Sequence, residues 1–234
     1  MDPEPDIPLL LTGVDASLPA RVRSLTRGAI RTFEPGEVLT WEGERPSCLW
    51  VVVAGAVTLT STAPTGRRAT VAVLGRGAVL GEQGVIPRVI SVRPDPISSP
   101  EARALAPTTA SAIALSALHL ALASDPRVGR WLTAAVSRRA LQVQRGLART
   151  LLMRVPARLL GVLEDLAEEH GRPLPGGVGI ELPLTQDLLA SMVGATRECV
   201  NRAVAQLERE GAVRRIGARY VLPDRFFVCE GSVP

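Results

Sequence analysis

The chain has 234 residues, 46% of them hydrophobic, and a formal charge of +4, which leaves room for two ordinary domains with buried cores. Aromatics are only 3%, so those cores must be built from Val, Leu, Ile and Ala. All 27 basic residues are Arg, and Cys48, Cys199 and Cys229 are scattered with no CxxC spacing, a pattern that excludes a disulfide framework and a structural zinc site and fits a reducing cytoplasm.

The acidic start, Met1-Asp2-Pro3-Glu4-Pro5-Asp6, is wrong for a secretion signal. A Pro-rich lead gives way to a short helical piece over 20–30. Phe33-Glu34-Pro35-Gly36-Glu37-Val38-Leu39 places a Pro-Gly turn before an apolar strand. Leu49 to Thr60 is a β-branched run with a turn at Ala54-Gly55, and Thr70 to Leu74 is another strand, ended by Gly75-Arg76-Gly77. Pro87 to Pro100 holds four prolines and no periodicity, so it reads as a loop. Ala104 to Ser124 carries no formal charge and is roughly long enough to cross a bilayer. Its Pro107, Thr108, Thr109, Ser111, Ser116 and His119 argue instead for a strand, Ala110 to Leu115, followed by a short helix, and against any membrane span. Many short strands at even spacing suggest a β-sandwich or roll.

The pattern then changes. Asp125-Pro126 is a helix start with Pro at the first helical position. Leu132, Val136, Ala140, Val143, Leu147 and Leu151 recur every three or four residues as one apolar stripe. From Val128 to Val162 there is no acidic residue, while Arg130, Arg138, Arg139, Arg145, Arg149, Arg154 and Arg158 all fall there. Such a stripe either packs on its own domain or forms a seam with a second copy of the chain. The length favours the seam. A second helix, Ala157 to His170, follows Pro156 and is expected to be capped by Gly171, with Pro173-Leu174-Pro175-Gly176-Gly177 as a loop.

Thr185 caps a short helix with Leu188, Leu189, Met192 and Val193 inward, and Gly194-Ala195-Thr196 breaks it. Thr196 caps a second helix with Val200, Ala203, Val204 and Leu207 inward, ended by Gly211. Helices joined by so short a turn cross steeply. They need small residues where they touch, supplied by Ala190 and Ala203, and a residue tolerant of positive φ, supplied by Gly194. Ala212 to Leu222 reads as a hairpin turning near Gly217, the wing of a winged helix-turn-helix. The outer face of the second helix offers Arg197, Glu198, Asn201, Arg202 and Ala205. Arg can donate twice to guanine, Glu can accept from cytosine, and Asn can pair with adenine. Thr185, Gln186, Thr196, Arg214, Arg215 and Arg219 suit phosphates.

The run from Leu184 to Arg202, with its Thr196-Arg197-Glu198-x-Val200-x-Arg202 core, resembles the DNA-binding signature of the CRP/FNR regulator superfamily. Phe33 to Val38 with Trp41-Glu42-Gly43-Glu44 resembles the entry motif of that family's β-roll, and Leu74 to Glu82 resembles its later turn. The similarity runs from about Ile30 to Tyr220. It implies an α+β fold: an N-terminal cyclic-nucleotide-binding-like jelly roll, a long dimerisation helix and a C-terminal winged helix-turn-helix. The expected segments are a lead with a short helix over 1–30, the roll over 31–116, the short and long helices over 117–155, and the DNA-binding domain over 156–234. It also implies base readers at Arg197, Glu198 and Arg202, a homodimer on palindromic double-stranded DNA, and RNA polymerase as a further partner.

In cyclic-AMP-binding members a Gly-Glu pair precedes an Arg-Ser or Arg-Thr pair, the Glu holding a ribose hydroxyl and the Arg the cyclic phosphate. Gly81 and Glu82 are present here, but Pro100-Glu101 stands where the second pair belongs. Arg88 or Arg93 could substitute, though neither is followed by Ser or Thr. The expectation is therefore a degenerate effector pocket at Gly81, Glu82, Arg88 and Arg93, with no control by cyclic AMP and no known small-molecule effector. The two histidines, His119 and His170, read as structural or exposed rather than as haem ligands, and Cys199 reads as a buried, apolar packing residue. No Ser-His-Asp set, paired carboxylate or Gly-rich phosphate loop points to an enzyme, a cofactor or a metal. The alternatives left open are a sensor for a different small molecule and a degenerate regulator that acts through protein partners.

Overall fold

In the computed structural model the described residues are 20–26, 29–85 and 100–224. They fall into two compact units, one of residues up to 67 with Leu74–Leu141, the other of Arg68–Val73 with residues from 142 onward. Arg88, Arg93, Cys229 and the loop expected from Pro87, apart from Pro100, lie outside the described residues.

The N-terminal elements are α1 (Ala20–Thr26), β1 (Ile30–Phe33), β2 (Val38–Thr40), β3 (Cys48–Ala54), β4 (Val57–Thr62), β5 (Arg68–Leu74), β6 (Val79–Leu80), a 3-10 turn (Glu82–Val85), β7 (Glu101–Ala104), β8 (Thr108–Ala114), α2 (Leu115–Ser124) and α3 (Pro126–Leu152). The strands form two sheets, β1-β8-β3-β6 and β2-β7-β4-β5. β3 shows how the alternation of a strand divides its side chains. Leu49 and Val51 point to a cluster with Val22, Val79, Ile113, Leu118, Ala121, Val128, Trp131 and Ala135, which joins the sheet to α1, α2 and α3. Trp50 points the other way and meets the edge of the Phe33 ring, with centroids 5.5 Å apart. Gly55 makes the β3–β4 turn at φ 85°, and a Cβ there would sit 2.3 Å from the Pro107 carbonyl oxygen, so no larger residue fits.

Three strands of the roll went unread in the sequence, among them β1, which begins at Ile30, inside the span expected to be helical. β6 is only two residues long. β7 is Glu-Ala-Arg-Ala, with no β-branched residue to announce it. It is imposed by its neighbours: Ala104 lies opposite Val57 and Ala102 opposite Leu59, and both alanines are buried.

α3 has 27 residues. Val128, Trp131 and Ala135 recur at three and four residues and are buried in the roll cluster. Leu132 is half-buried against the same cluster, so the uncovered apolar stripe begins one turn later, at Val136. No helix among the described residues is long and apolar enough to cross a membrane.

The second unit contains α4 (Val155–His170), β9 (Gly171–Leu174), β10 (Gly177–Ile180), α5 (Gln186–Val193), α6 (Arg197–Arg209), β11 (Arg214–Ile216) and β12 (Arg219–Leu222). Its sheet has the order β11-β12-β10-β9. Pro156 falls in the first turn of α4, where a missing N–H costs nothing. The expected loop at Pro173 to Gly177 is instead the β9–β10 hairpin, with Pro173 opposite Val178. β9 is the edge strand, and an edge is where proline is tolerated in a sheet. Gly171 is not a left-handed cap either. Its φ is −81° and it opens β9. A Cβ there would lie 2.1 Å from the Ala167 carbonyl oxygen and 2.3 Å from Val178 Cγ1. Gly194 does adopt the left-handed conformation, at φ 64°, with open space where a Cβ would go.

These two glycines should therefore respond differently to alanine. Gly194→Ala should cost about 1–2 kcal/mol, the backbone penalty alone. Gly171→Ala incurs no such penalty at φ −81° but must displace the Ala167 carbonyl and Val178, and should lower the thermal midpoint of the second unit further. Equal shifts for the two variants would show that the packing at Gly171 is slack.

Candidate nucleic-acid interface

α5 and α6 are each started by a threonine. The Leu188 N–H donates to Thr185 Oγ1 at 3.1 Å, and the Cys199 N–H donates to Thr196 Oγ1 at 3.3 Å. Caps of this kind hold the first turns in place. Leu189, Ala190 and Val193 of α5 are buried, as are Val200, Ala203, Val204 and Leu207 of α6. With that face buried, the opposite face of α6 is turned outward, and Arg197, Glu198, Asn201 and Arg202 are all exposed on it. The structure brings these four together.

Their electrostatics are set locally. The backbone N–H of Glu198 and then the Thr196 hydroxyl hold the Glu198 carboxyl below the usual carboxylate range, so it stays an ionised acceptor. Arg197 Nη1 lies 3.5 Å from Asp187 Oδ2. Arg202 Nη2 donates to Cys199 Sγ at 3.2 Å. Cys199 is half-exposed, which corrects the expectation of a buried packing residue: it sits at the N-terminal turn of α6, on the edge of the exposed polar face.

The expected phosphate contacts are spread over three elements. Thr185 and Thr196 are exposed at the caps, and Gln186 is half-buried, its Oε1 buried without a partner. Arg214 and Arg219 are exposed on β11 and β12. Arg214 Nη2 donates to the Gly176 carbonyl at 2.8 Å, and Arg219 Nη1 lies 3.9 Å from Glu181 Oε1. Arg215 Nε is 2.7 Å from Glu208 Oε1.

In the roll, a cavity of about 150 Å³ is lined by residues that include Leu39, Leu59, Trp50, Gly81, Pro100 and Arg139. Gly81 has φ 83°, and a Cβ there would lie 2.6 Å from the Cys48 carbonyl oxygen. Glu82 pairs with Arg139, Nη1 to Oε1 at 2.6 Å, and both side chains are largely buried, at 13% and 15% exposed. Arg139 Nη2 also donates to the Val79 carbonyl. Glu101 is not in the cavity wall. Its Oε1 accepts from Arg103 Nε at 2.9 Å.

The sequence matches the cyclic nucleotide-binding domain over residues 30–125 and the Crp-like helix-turn-helix domain over residues 147–226. The chain belongs to the CRP/FNR superfamily of transcription regulators. It is 28% identical over 192 residues to the CRP-like cAMP-activated global transcriptional regulator of Mycobacterium tuberculosis, covering 82% of this chain and 83% of that one. It is 27% identical to the global nitrogen regulator of Synechococcus elongatus, covering 76% and 78%. Among solved structures, the fold matches the c-di-GMP responsive regulator CLP of Xanthomonas campestris with a TM-score of 0.70 at 22% identity, covering 90% and 98%. FixK2 of Bradyrhizobium japonicum matches with a TM-score of 0.69 at 22% identity, covering 88% and 98%. These relatives are transcriptional regulators, and the chain is a CRP/FNR-type regulator with a helix-turn-helix DNA-binding domain.

Sequence reading missed two partners in this family frame. Arg139 was seen only as one of a run of arginines. Its position four residues after Ala135, on the stripe that packs against the roll, was the available signal. Glu208 lay unnoticed in the last turn of α6, seven residues before the arginine it holds.

The two described cysteines should differ in reactivity. Burial pushes the Cys48 thiol up. The Thr196 hydroxyl and then Arg202 hold the Cys199 thiol down, so Cys199 carries more thiolate than Cys48 at any pH below the ordinary thiol range. Iodoacetamide near neutral pH should label Cys199 faster, and the gap should close as pH rises through that range. Faster labelling of Cys48 near neutral pH would refute the assignment.

Proposed function

We propose that this regulator binds a palindromic duplex DNA site as a homodimer, reading base edges with Arg197, Glu198, Asn201 and Arg202, and that cyclic AMP does not control it. The observation that carries the reading is the exposed polar face of α6, started by the Thr196 cap and lying opposite a buried apolar face. Phosphates fall to Thr185, Gln186, Thr196, Arg214 and Arg219 at the helix starts and wing. RNA polymerase is the partner it meets at a promoter, in the cytoplasm.

The dimer reading is supported by α3. Val136, Val143, Leu147 and Leu151 are 38%, 43%, 58% and 73% exposed, and Ala140 lies exposed among them. A fully buried side chain of this size is worth about 1.5–3 kcal/mol. A two-fold seam covers the whole row, because each copy offers the same stripe. A dimer of this kind places two reading helices on half-sites about one helical turn apart.

The relative in Mycobacterium tuberculosis is named as cAMP-activated. Here the position expected to hold a ribose hydroxyl, Glu82, is engaged by Arg139, and Pro100 stands in the cavity wall. A cyclic phosphate entering beside Arg139 must compete with a largely buried carboxylate. Losing a charge-assisted partner of that kind costs several kcal/mol.

Arg197→Ala and Arg202→Ala should each cost about 1–3 kcal/mol on the specific site and much less on random duplex. Equal losses on both would mean that the arginines touch only phosphates. Val136→Glu with Val143→Glu should split the dimer in sedimentation and abolish tight binding, whereas a monomeric unmutated protein at micromolar concentration would end the seam reading. In calorimetry, cyclic AMP should show no micromolar binding, and DNA affinity should not change when it is added. Micromolar binding with a matching gain in DNA affinity would overturn that part.

A further inference from the structure

The three arginines of the wing are not equivalent. Arg214 gives one hydrogen bond to a neutral carbonyl and keeps its charge. Arg219 lies 3.9 Å from a carboxylate oxygen. Arg215 is different: its Nε reaches Glu208 Oε1 at 2.7 Å and its Nη2 reaches Glu208 Oε2 at 3.3 Å. Two points of contact between two planar groups fix orientation as well as distance.

The two partners belong to the two parts of the domain that must be aligned on DNA. Glu208 is in the last turn of α6, next to the buried Leu207. Arg215 is the middle residue of β11, opposite the buried Tyr220 of β12. Between them the chain turns tightly, with the Ala212 and Val213 N–H groups both donating to the Leu207 carbonyl, at 2.9 and 3.3 Å. The ion pair closes this turn on its outer side. We propose that Arg215 is a positioning residue that locks the wing to the reading helix, with Glu208 as its partner, and that it does not bind phosphate itself.

The electrostatic argument runs the same way. A guanidinium that already holds a carboxylate in its fork adds almost no net charge for a phosphate to meet, and the phosphate also meets Glu208. Counterion release follows the cations that neutralise phosphates. Arg215 therefore stays out of the salt dependence, while Arg214 and Arg219 contribute to it.

The inference rests on the DNA-binding reading, so the test has one arm with DNA and one without. Duplex affinity over a salt series is measured for the unmutated protein, Glu208→Gln, Arg215→Gln, Arg214→Gln and the charge swap Glu208→Arg with Arg215→Glu. Glu208→Gln and Arg215→Gln should each weaken binding about threefold, the scale of an exposed ion pair, with unchanged salt slopes. Arg214→Gln should lower the slope by about 0.9. The swap should restore affinity, which loss of a mere surface charge would not do. Without DNA, amide exchange in β11 and β12 should quicken in both single variants and recover in the swap. Tighter binding by Glu208→Gln, or a lower slope in Arg215→Gln, would make Arg215 a phosphate contact and overturn the proposal. Unchanged amide exchange in both single variants would also overturn it. Failure of the unmutated protein to bind duplex DNA would sink the DNA-binding reading instead, and the exchange arm would still decide the wing.

Discussion

A helix with two apolar faces needs two coverings. α3 is 27 residues long, or roughly 40 Å at 1.5 Å per residue. Its first turns lay Val128, Trp131 and Ala135 onto the roll. Further along, the apolar positions rotate away from the roll and stay open, from Val136 to Leu151, with Leu152 and Met153 beyond them. An exposed row of large aliphatic side chains is costly in water. The same helix therefore satisfies one face within the chain and leaves the other exposed, the face that the proposed dimer would cover.

Where the covered face of α3 ends, its next residue on that side is charged. Arg139 meets Glu82 in a largely buried pair. Taking both charges out of water is offset only by good geometry and further hydrogen bonds, and Arg139 has the Val79 carbonyl as a second acceptor. Glu82 Oε2 has no partner, so the pair is incompletely satisfied. It ties the 3-10 turn that follows Gly81 to the helix by electrostatics, in a part of the fold where the lining of the cavity is otherwise polar or apolar but uncharged apart from Glu44.

What could be read in advance was local. The helix-turn-helix depends on caps, a glycine turn and one apolar face within a short stretch, and Thr185, Gly194, Thr196 and Val200 carry all of it in their order. What escaped depends on distant partners. β7 has no strand propensity of its own and exists because β2 and β4 flank it. β9 contains a proline that counts against a strand unless it is known to be an edge. Arg139 and Glu82 are 57 residues apart, and no spacing rule joins them. The stripe on α3 was legible, but its beginning was not, since Leu132 is claimed by a cluster whose buried members come from five elements besides α3.

The all-arginine composition says less about DNA than it first suggests. A bidentate guanidinium braces two elements in a way that a lysine cannot, and several arginines here are spent as braces. Arg149 spans from α3 to Asp165 on α4, with Nη2 to Oδ1 at 3.0 Å, and it lies across Gly161, where an added Cβ would be 2.6 Å from its Nε. That glycine is in mid-helix, where it costs about 1 kcal/mol against alanine, and it leaves room for the guanidinium that pairs with Asp165. Arg103 is held by Glu101, Arg139 by Glu82 and Arg215 by Glu208. Each such pair cancels a positive charge locally against a negative one. The net charge of +4 already counts those carboxylates, so it says nothing of where positive charge is exposed; α6 leaves Arg197 and Arg202 exposed on the face opposite its buried apolar one.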